Sequence, residues 1–188
     1  MANRPFLMAH GSPVPLTAAE HEEAILAAAS NQIPLLWLSL FSEADLKMVD
    51  MALEDAEGNE SRGPVPTLHA ATPDAVVRYQ GRSARLQAAL PAALLIHMKE
   101  WELLLSSVTT SFVQIDLAEI WMMDTPEESE RAFRSHVRAF EEGGEAWAEA
   151  CGQACLDVLP GHAISFDPAV VRYGLRGYQW DRPVPWED

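Results

Sequence analysis

Three carboxylates, Asp116, Glu119 and Asp124, fall within nine residues around Trp121. Carboxylates gathered at a strand end can hold a divalent metal and activate water. Glu119 stands in the apolar run Leu117-Ala-Glu-Ile-Trp121-Met-Met, where a buried carboxylate would need a partner, and arginine is the expected one. Two arginine stripes carry a different chemistry. Arg78, Arg82 and Arg85 recur at i, i+4, i+7, and Arg131, Arg134 and Arg138 at i, i+3, i+7. On a helix each set lies on one face and could bind a phosphate or a carboxylate. The pairs Asp74–Arg78, Glu127–Arg131 and Glu130–Arg134 place acid before base at i, i+4, the orientation that supports a helix, so much of this charge has a plain local use.

Other reactive residue types lack the spacing their chemistry needs. The six histidines, His10, His21, His69, His97, His136 and His162, form no His-Glu-x-x-His and no ligand cluster with cysteine. Ser12 in His10-Gly-Ser-Pro has no nucleophile elbow around it. Cys151 and Cys155 lie one helical turn apart, outside the Cys-x-x-Cys spacing, and read as two small core residues. No glycine-rich phosphate loop follows any strand, and no motif calls for a cofactor.

These residues need elements to position them. Arg4–Ala9 reads as a first strand. Thr17-Ala-Ala-Glu20 fits a capping box and predicts a helix over about 18–29. The run from Pro34 to Phe41 is apolar on both faces, which suits a strand buried on both sides, although pattern alone does not separate it from a buried helix. Ser42-Glu-Ala-Asp45, followed by Leu46, Val49 and Leu53, predicts a second helix. Gly58–Pro66 reads as a loop and Thr67–Ala71 as a strand. Thr72-Pro73 opens a helix with Thr as N-cap, which Pro91 ends. Leu94, Met98, Trp101, Leu105 and Val108 mark the next helix. Strict alternation over Ser111–Leu117 marks a strand with one polar face, Phe112/Gln114/Asp116, and one apolar face, Val113/Ile115/Leu117. Thr125-Pro126 opens a helix that turns Phe133, Val137 and Phe140 inward and stops at Gly143-Gly144. A further helix over about 145–159, a strand at Ala163–Phe166 and an irregular tail over about 167–188 complete the reading. The expected fold is α/β, with α+β as its variant: a single domain over 1–188 with helices packed on a mixed β-sheet.

Charge bounds the partners. Twenty-eight acidic residues face thirteen basic ones, a formal net charge of −15. Such an excess repels nucleic acid and anionic membrane and attracts basic proteins. Hydrophobic residues are 48% of the chain, enough for a core despite the charge. No signal peptide or membrane span is visible, so a soluble cytoplasmic protein is expected. The acids are unevenly placed. Glu43–Glu60 holds seven against Lys47 alone, and Glu141–Asp157 holds five with no basic residue. The candidate partner-binding set is therefore Glu43, Asp45, Asp50, Glu54, Asp55, Glu141, Glu142, Glu145 and Glu149, with Tyr178 and Trp180 as aromatic anchors.

The opening Met1-Ala-Asn-Arg-Pro-Phe-Leu7, with Ile33-Pro-Leu-Leu-Trp-Leu-Ser-Leu-Phe-Ser-Glu-Ala-Asp45 and Phe112-Val-Gln-Ile-Asp-Leu-Ala-Glu-Ile-Trp121, resembles a group of uncharacterised bacterial proteins, some of them similar to immunity proteins encoded beside secreted toxins. The resemblance implies a binding role and carries no catalytic residue to this chain. The expected function is an acidic module that neutralises a basic toxin by masking its site. The alternatives are a metal-assisted enzyme using Asp116, Glu119 and Asp124, and a self-associating scaffold.

Overall fold

The computed structural model describes residues 4–29, 33–54, 60–90, 92–121, 126–142 and 175–179. Among these residues six strands, β1 (Phe6–His10), β2 (Ile25–Ala28), β3 (Leu46–Glu54), β4 (Glu60–Ala71), β5 (Phe112–Asp116) and β6 (Tyr178–Gln179), form one sheet in the order β3-β4-β5-β1-β2-β6. Among the described residues five α-helices accompany them: α1 (Leu35–Leu38), α2 (Thr72–Ala89), α3 (Leu95–Ser107), α4 (Ala118–Trp121) and α5 (Pro126–Glu142).

A sheet packed with helices is as expected, but every pairing among the described residues is antiparallel rather than mixed. The connection from β4 to β5 shows why. One helix between neighbouring strands returns the chain for a parallel strand. Here two helices, α2 and α3, intervene, and β5 begins beside the end of β4, with Phe112 opposite Ala71. The Thr72 N–H donates to Ser111 C=O at 2.9 Å and closes that corner.

Local helix signals fail at two places where strand pairing takes over. Thr17 and Glu20 do bond, but side chain to side chain at 2.8 Å, and the segment makes turns and one short 3-10 helix, Glu22–Ala24, before Ile25–Ala28 pairs with β1. The Ser42–Asp45 capping box is present, with the Ser42 N–H donating to Asp45 Oδ2 at 2.7 Å. It closes a single 3-10 turn, Glu43–Asp45, because the next nine residues pair with β4 from Leu46–Leu68 to Glu54–Glu60. The expected loop up to Pro66 is, from Glu60 onward, the outer half of β4. Pro64 and Pro66 are tolerated there because β5 reaches only to Thr67, so this stretch pairs on one side alone.

Pro34–Phe41, expected as a strand buried on both sides, instead forms the short helix α1, and every residue from Leu35 to Leu38 is buried. The other expectations hold closely. α2 starts one residue earlier than a Thr N-cap would require: Ala71 is the N-cap and Thr72 the first helical residue. Tyr79, Leu86 and Leu90 are buried as their spacing predicts, as are Leu94, Met98, Trp101 and Leu105 near and along α3. Phe133 and Val137 turn inward from α5. The predicted helix over 145–159 and the strand at Ala163–Phe166 lie outside the described residues, as does nearly all of the tail.

One sheet face is apolar. Leu7, Ile115 and Leu68 line up across β1, β5 and β4, with Ala9, Val113 and Ala70 in the next row. With α2 packed on β4 and β5, these residues join the main core around Trp37, Phe41 and Trp101. The other face carries a smaller apolar cluster of Met8, Ala18, Ala24 and Ile25, with Phe6 and Leu16 packed against it. The segment between β1 and β2 therefore lies over this second face and closes it off from water.

Candidate functional site

The polar face of β5 is buried, where its alternation alone would leave it open to solvent. Gln114 has no solvent exposure and Asp116 is 4% exposed. An unpaired buried polar group is costly, so each must find partners. Gln114 Oε1 accepts the Leu16 N–H at 2.9 Å, and its Nε2 donates to Leu16 C=O at 2.6 Å. Asp116 Oδ2 accepts the Ala18 N–H at 2.8 Å, and Oδ1 accepts the Ala118 N–H at 3.0 Å. Burial pushes the Asp116 carboxyl up, and its two backbone donors counter part of that rise. The same face holds Thr67, whose hydroxyl donates to Ile115 C=O at 2.8 Å.

Two histidines complete this layer, and their separation in sequence hid them. His10 ends β1 opposite Phe112, while His69 sits on β4 opposite Gln114. Their rings stack over β5 with centroids 5.5 Å apart and planes at 27°. His69 also stacks on Phe112 at 4.9 Å. His10 Nε2 is 3.0 Å from Gln114 Oε1. Because the Gln114 amide is oriented by its two hydrogen bonds to the Leu16 backbone, Oε1 can only accept, so His10 carries its hydrogen on Nε2. Burial lowers both imidazoles below the ordinary value. The sequence signal for this group was parity: Met8 and His10 share the face opposite Leu7 and Ala9, as Gln114 does opposite Val113.

The three carboxylates considered for metal chemistry do not act together in what is described. Both Asp116 oxygens serve backbone amides, and Glu119 Oε2 accepts the Arg4 N–H at 2.9 Å rather than an arginine side chain. Asp124 lies outside the described residues. Among the described residues no three His, Cys, Asp or Glu side chains converge as metal ligands would.

The arginine stripes are put to structural use. Arg82, 7% exposed, donates from one terminal nitrogen to Ser39 C=O at 2.9 Å and Phe41 C=O at 2.6 Å. Arg78 donates to Leu40 C=O at 3.3 Å and pairs with Asp45 at 2.9 Å. The helical turn after α1 leaves carbonyls without intrahelical donors, and α2 supplies them. On α5, Arg138 meets Glu43 at 2.8 Å, and Arg134 bridges Glu130 at 2.8 Å and Glu43 at 3.5 Å. A groove of about 600 Å³ runs along this face of α5, lined by Glu127, Glu130, Arg131, Arg134, Arg138 and Glu142.

The proposed acidic contact residues have varied surroundings. The two acidic segments do meet, since Glu141 Oε1 accepts the Glu43 N–H at 3.0 Å. The Arg138 guanidinium holds Glu43 below the usual carboxylate range. Asp45 is buried against Arg78, and exposed Asp50 pairs with Arg62 at 3.4 Å. Glu141 and Glu142 are exposed near the end of α5. Glu54 ends β3. Asp55, Glu145, Glu149 and Trp180 lie outside the described residues, as do Cys151 and Cys155. Tyr178, half-buried, pairs with Ala28 at the sheet edge.

Sequence reasoning missed the group that anchors this last strand. Arg176 is 2% exposed and meets Glu100 Oε2 at 3.1 Å, and His97 Nδ1 lies 2.9 Å from the same oxygen. Trp37 Nε1 donates to Arg176 C=O at 2.8 Å. Gly177 follows at φ +76°, and a Cβ there would lie 2.5 Å from the Trp37 ring. No helix among the described residues is long and apolar enough to cross a membrane. No family model, no curated protein and no solved structure matches this chain.

Proposed function

We propose that this chain is an acidic, non-enzymatic protein-binding module of the immunity-protein kind, acting in the bacterial cytoplasm. It neutralises a basic partner, such as the nuclease domain of a toxin, by covering its working site. The observation that supports this reading most is where the positive charge goes. Arg62, Arg78, Arg134, Arg138 and Arg176 each pair with a carboxylate of the chain, and Arg82 serves backbone carbonyls. With 28 acids against 13 basic residues, the surplus left over is carboxylate, and Glu22, Asp74, Glu127 and Glu142 are among those exposed. A surplus of one sign steers an oppositely charged partner into encounter and sets its approach rate more than its final affinity. Because Glu43 and Asp45 are held by arginines, the contact relies on the remaining acids, Glu142, Glu145 and Glu149 foremost.

The test begins with the basic partner isolated from the native host by crosslinking. Stoichiometric addition of this chain abolishes the partner's activity. Stopped-flow association at low salt then slows about tenfold when Glu142, Glu145 and Glu149 are changed together to lysine, and its salt dependence flattens. An on-rate unchanged at low salt removes the steering argument, and an undiminished partner activity removes the neutralising role.

A further inference from the structure

We propose that the stacked His10–His69 pair is an acid-sensitive latch: while neutral it holds the Gly11–Ala18 segment on the sheet, and protonation frees that segment and opens the Gln114–Asp116 face to water. The argument rests on how these groups share partners. Described contacts from this segment to the face of β5 run through two side chains, Gln114 to the Leu16 backbone and Asp116 to the Ala18 N–H. Gln114 Oε1 is also the acceptor for His10. Any movement of His10 toward water therefore disturbs the atom that fixes Leu16.

Protonation supplies the push. With its hydrogen on Nε2, a second proton on His10 must go to Nδ1, which is buried with no partner in hydrogen-bond geometry. His69 Nε2 is buried in the same condition. New N–H groups there would find only the Ser12 backbone to favour them, and two imidazolium rings 5.5 Å apart in a dry layer repel each other. The charged and titratable groups around the pair divide. His21 of the covering segment and Lys47 of β3 oppose a charge on the rings, while Asp45, beside the start of β3, favours one. Asp116, two residues along β5 from Gln114, is tied to Ala18 and Ala118. The Ser12 backbone favours the protonated forms but is outweighed by burial.

The sign follows from the lowered native values. Below the unfolded-state imidazole value near 6.5 the open or unfolded chain binds protons that the closed form does not. The latch is whole above that value and is lost as pH falls through the lower native values. Asp116 works the other way: protonation relieves its burial, so it does not drive opening.

Site-resolved amide exchange on the full chain at about pH 7.5 and about pH 5, corrected for intrinsic rates, tests the latch. Protection of the Leu16 and Ala18 amides falls about tenfold or more, while Val113 and Ile115 in β5 keep theirs. In His69→Phe, which keeps the stack without its charge, the fall shrinks to less than about threefold. Equal loss in β5 and the segment would mean general unfolding and overturns the proposal. So would unchanged Leu16 protection once ring resonances show both histidines protonated, histidines neutral down to about pH 5, or an undiminished fall in His69→Phe. Should that variant not fold, the comparison within the wild-type chain decides.

Discussion

The side-chain amide of Gln114 joins three groups, Leu16 N–H, Leu16 C=O and His10 Nε2, and so makes a buried polar strand face affordable. Thr72 is its opposite. Its hydroxyl is buried at the first position of α2 and has no partner. Removing an unsatisfied hydroxyl while keeping the shape relieves a desolvation penalty. Thr72→Val is therefore expected to stabilise the protein by about 1 kcal/mol, seen as a higher urea midpoint with an unchanged slope. A lower midpoint would show that the hydroxyl is satisfied after all. Neither Gln114's burial nor Thr72's isolation can be read from residue type, because both depend on what lies across the sheet or at the corner.

Elements are joined here by side chains that serve another element's backbone. Arg82 crosses from α2 to the turn after α1, and without it Ser39 C=O and Phe41 C=O lose their donor. Bonds from a charged donor contribute more than neutral ones, although burial pulls the Arg82 guanidinium below its usual value and offsets part of the gain. Arg82→Met should cost about 2 kcal/mol, read from urea unfolding. A stabilised variant would show that burying the charge costs more than its bonds return. The stripe Arg78/Arg82/Arg85 was legible as a helix face. Its use was not, because the carbonyls it meets belong to a segment some forty residues away.

Across the whole molecule, the excess of carboxylates sets a background of self-repulsion that folding must overcome. Most described ion pairs are close contacts with a partly buried partner, so added salt screens the diffuse repulsion more than it weakens these pairs. Raising sodium chloride from about 20 mM to about 500 mM is expected to lift Tm by roughly 3–5 °C, measured by calorimetry. A falling Tm would place the balance with the ion pairs instead.

Sequence alone determined the quantities that need no partner: the net charge, the α2 and α3 stripes, the start of α5 at its Thr-Pro, and the two faces of β5. Each is written in periodicity or composition within one stretch of chain. Tertiary structure decided the rest. Residues 25–28 and 46–54 carry helix signals but become strands because β1 and β4 supply whole ladders of backbone partners, against which a single cap weighs little. Periodicity tells which residues share a face and is silent on what covers it. Only the fold set the 11–18 segment over Gln114 and Asp116, brought His10 and His69 into one stack, and turned the arginines of α2 onto the carbonyls after α1.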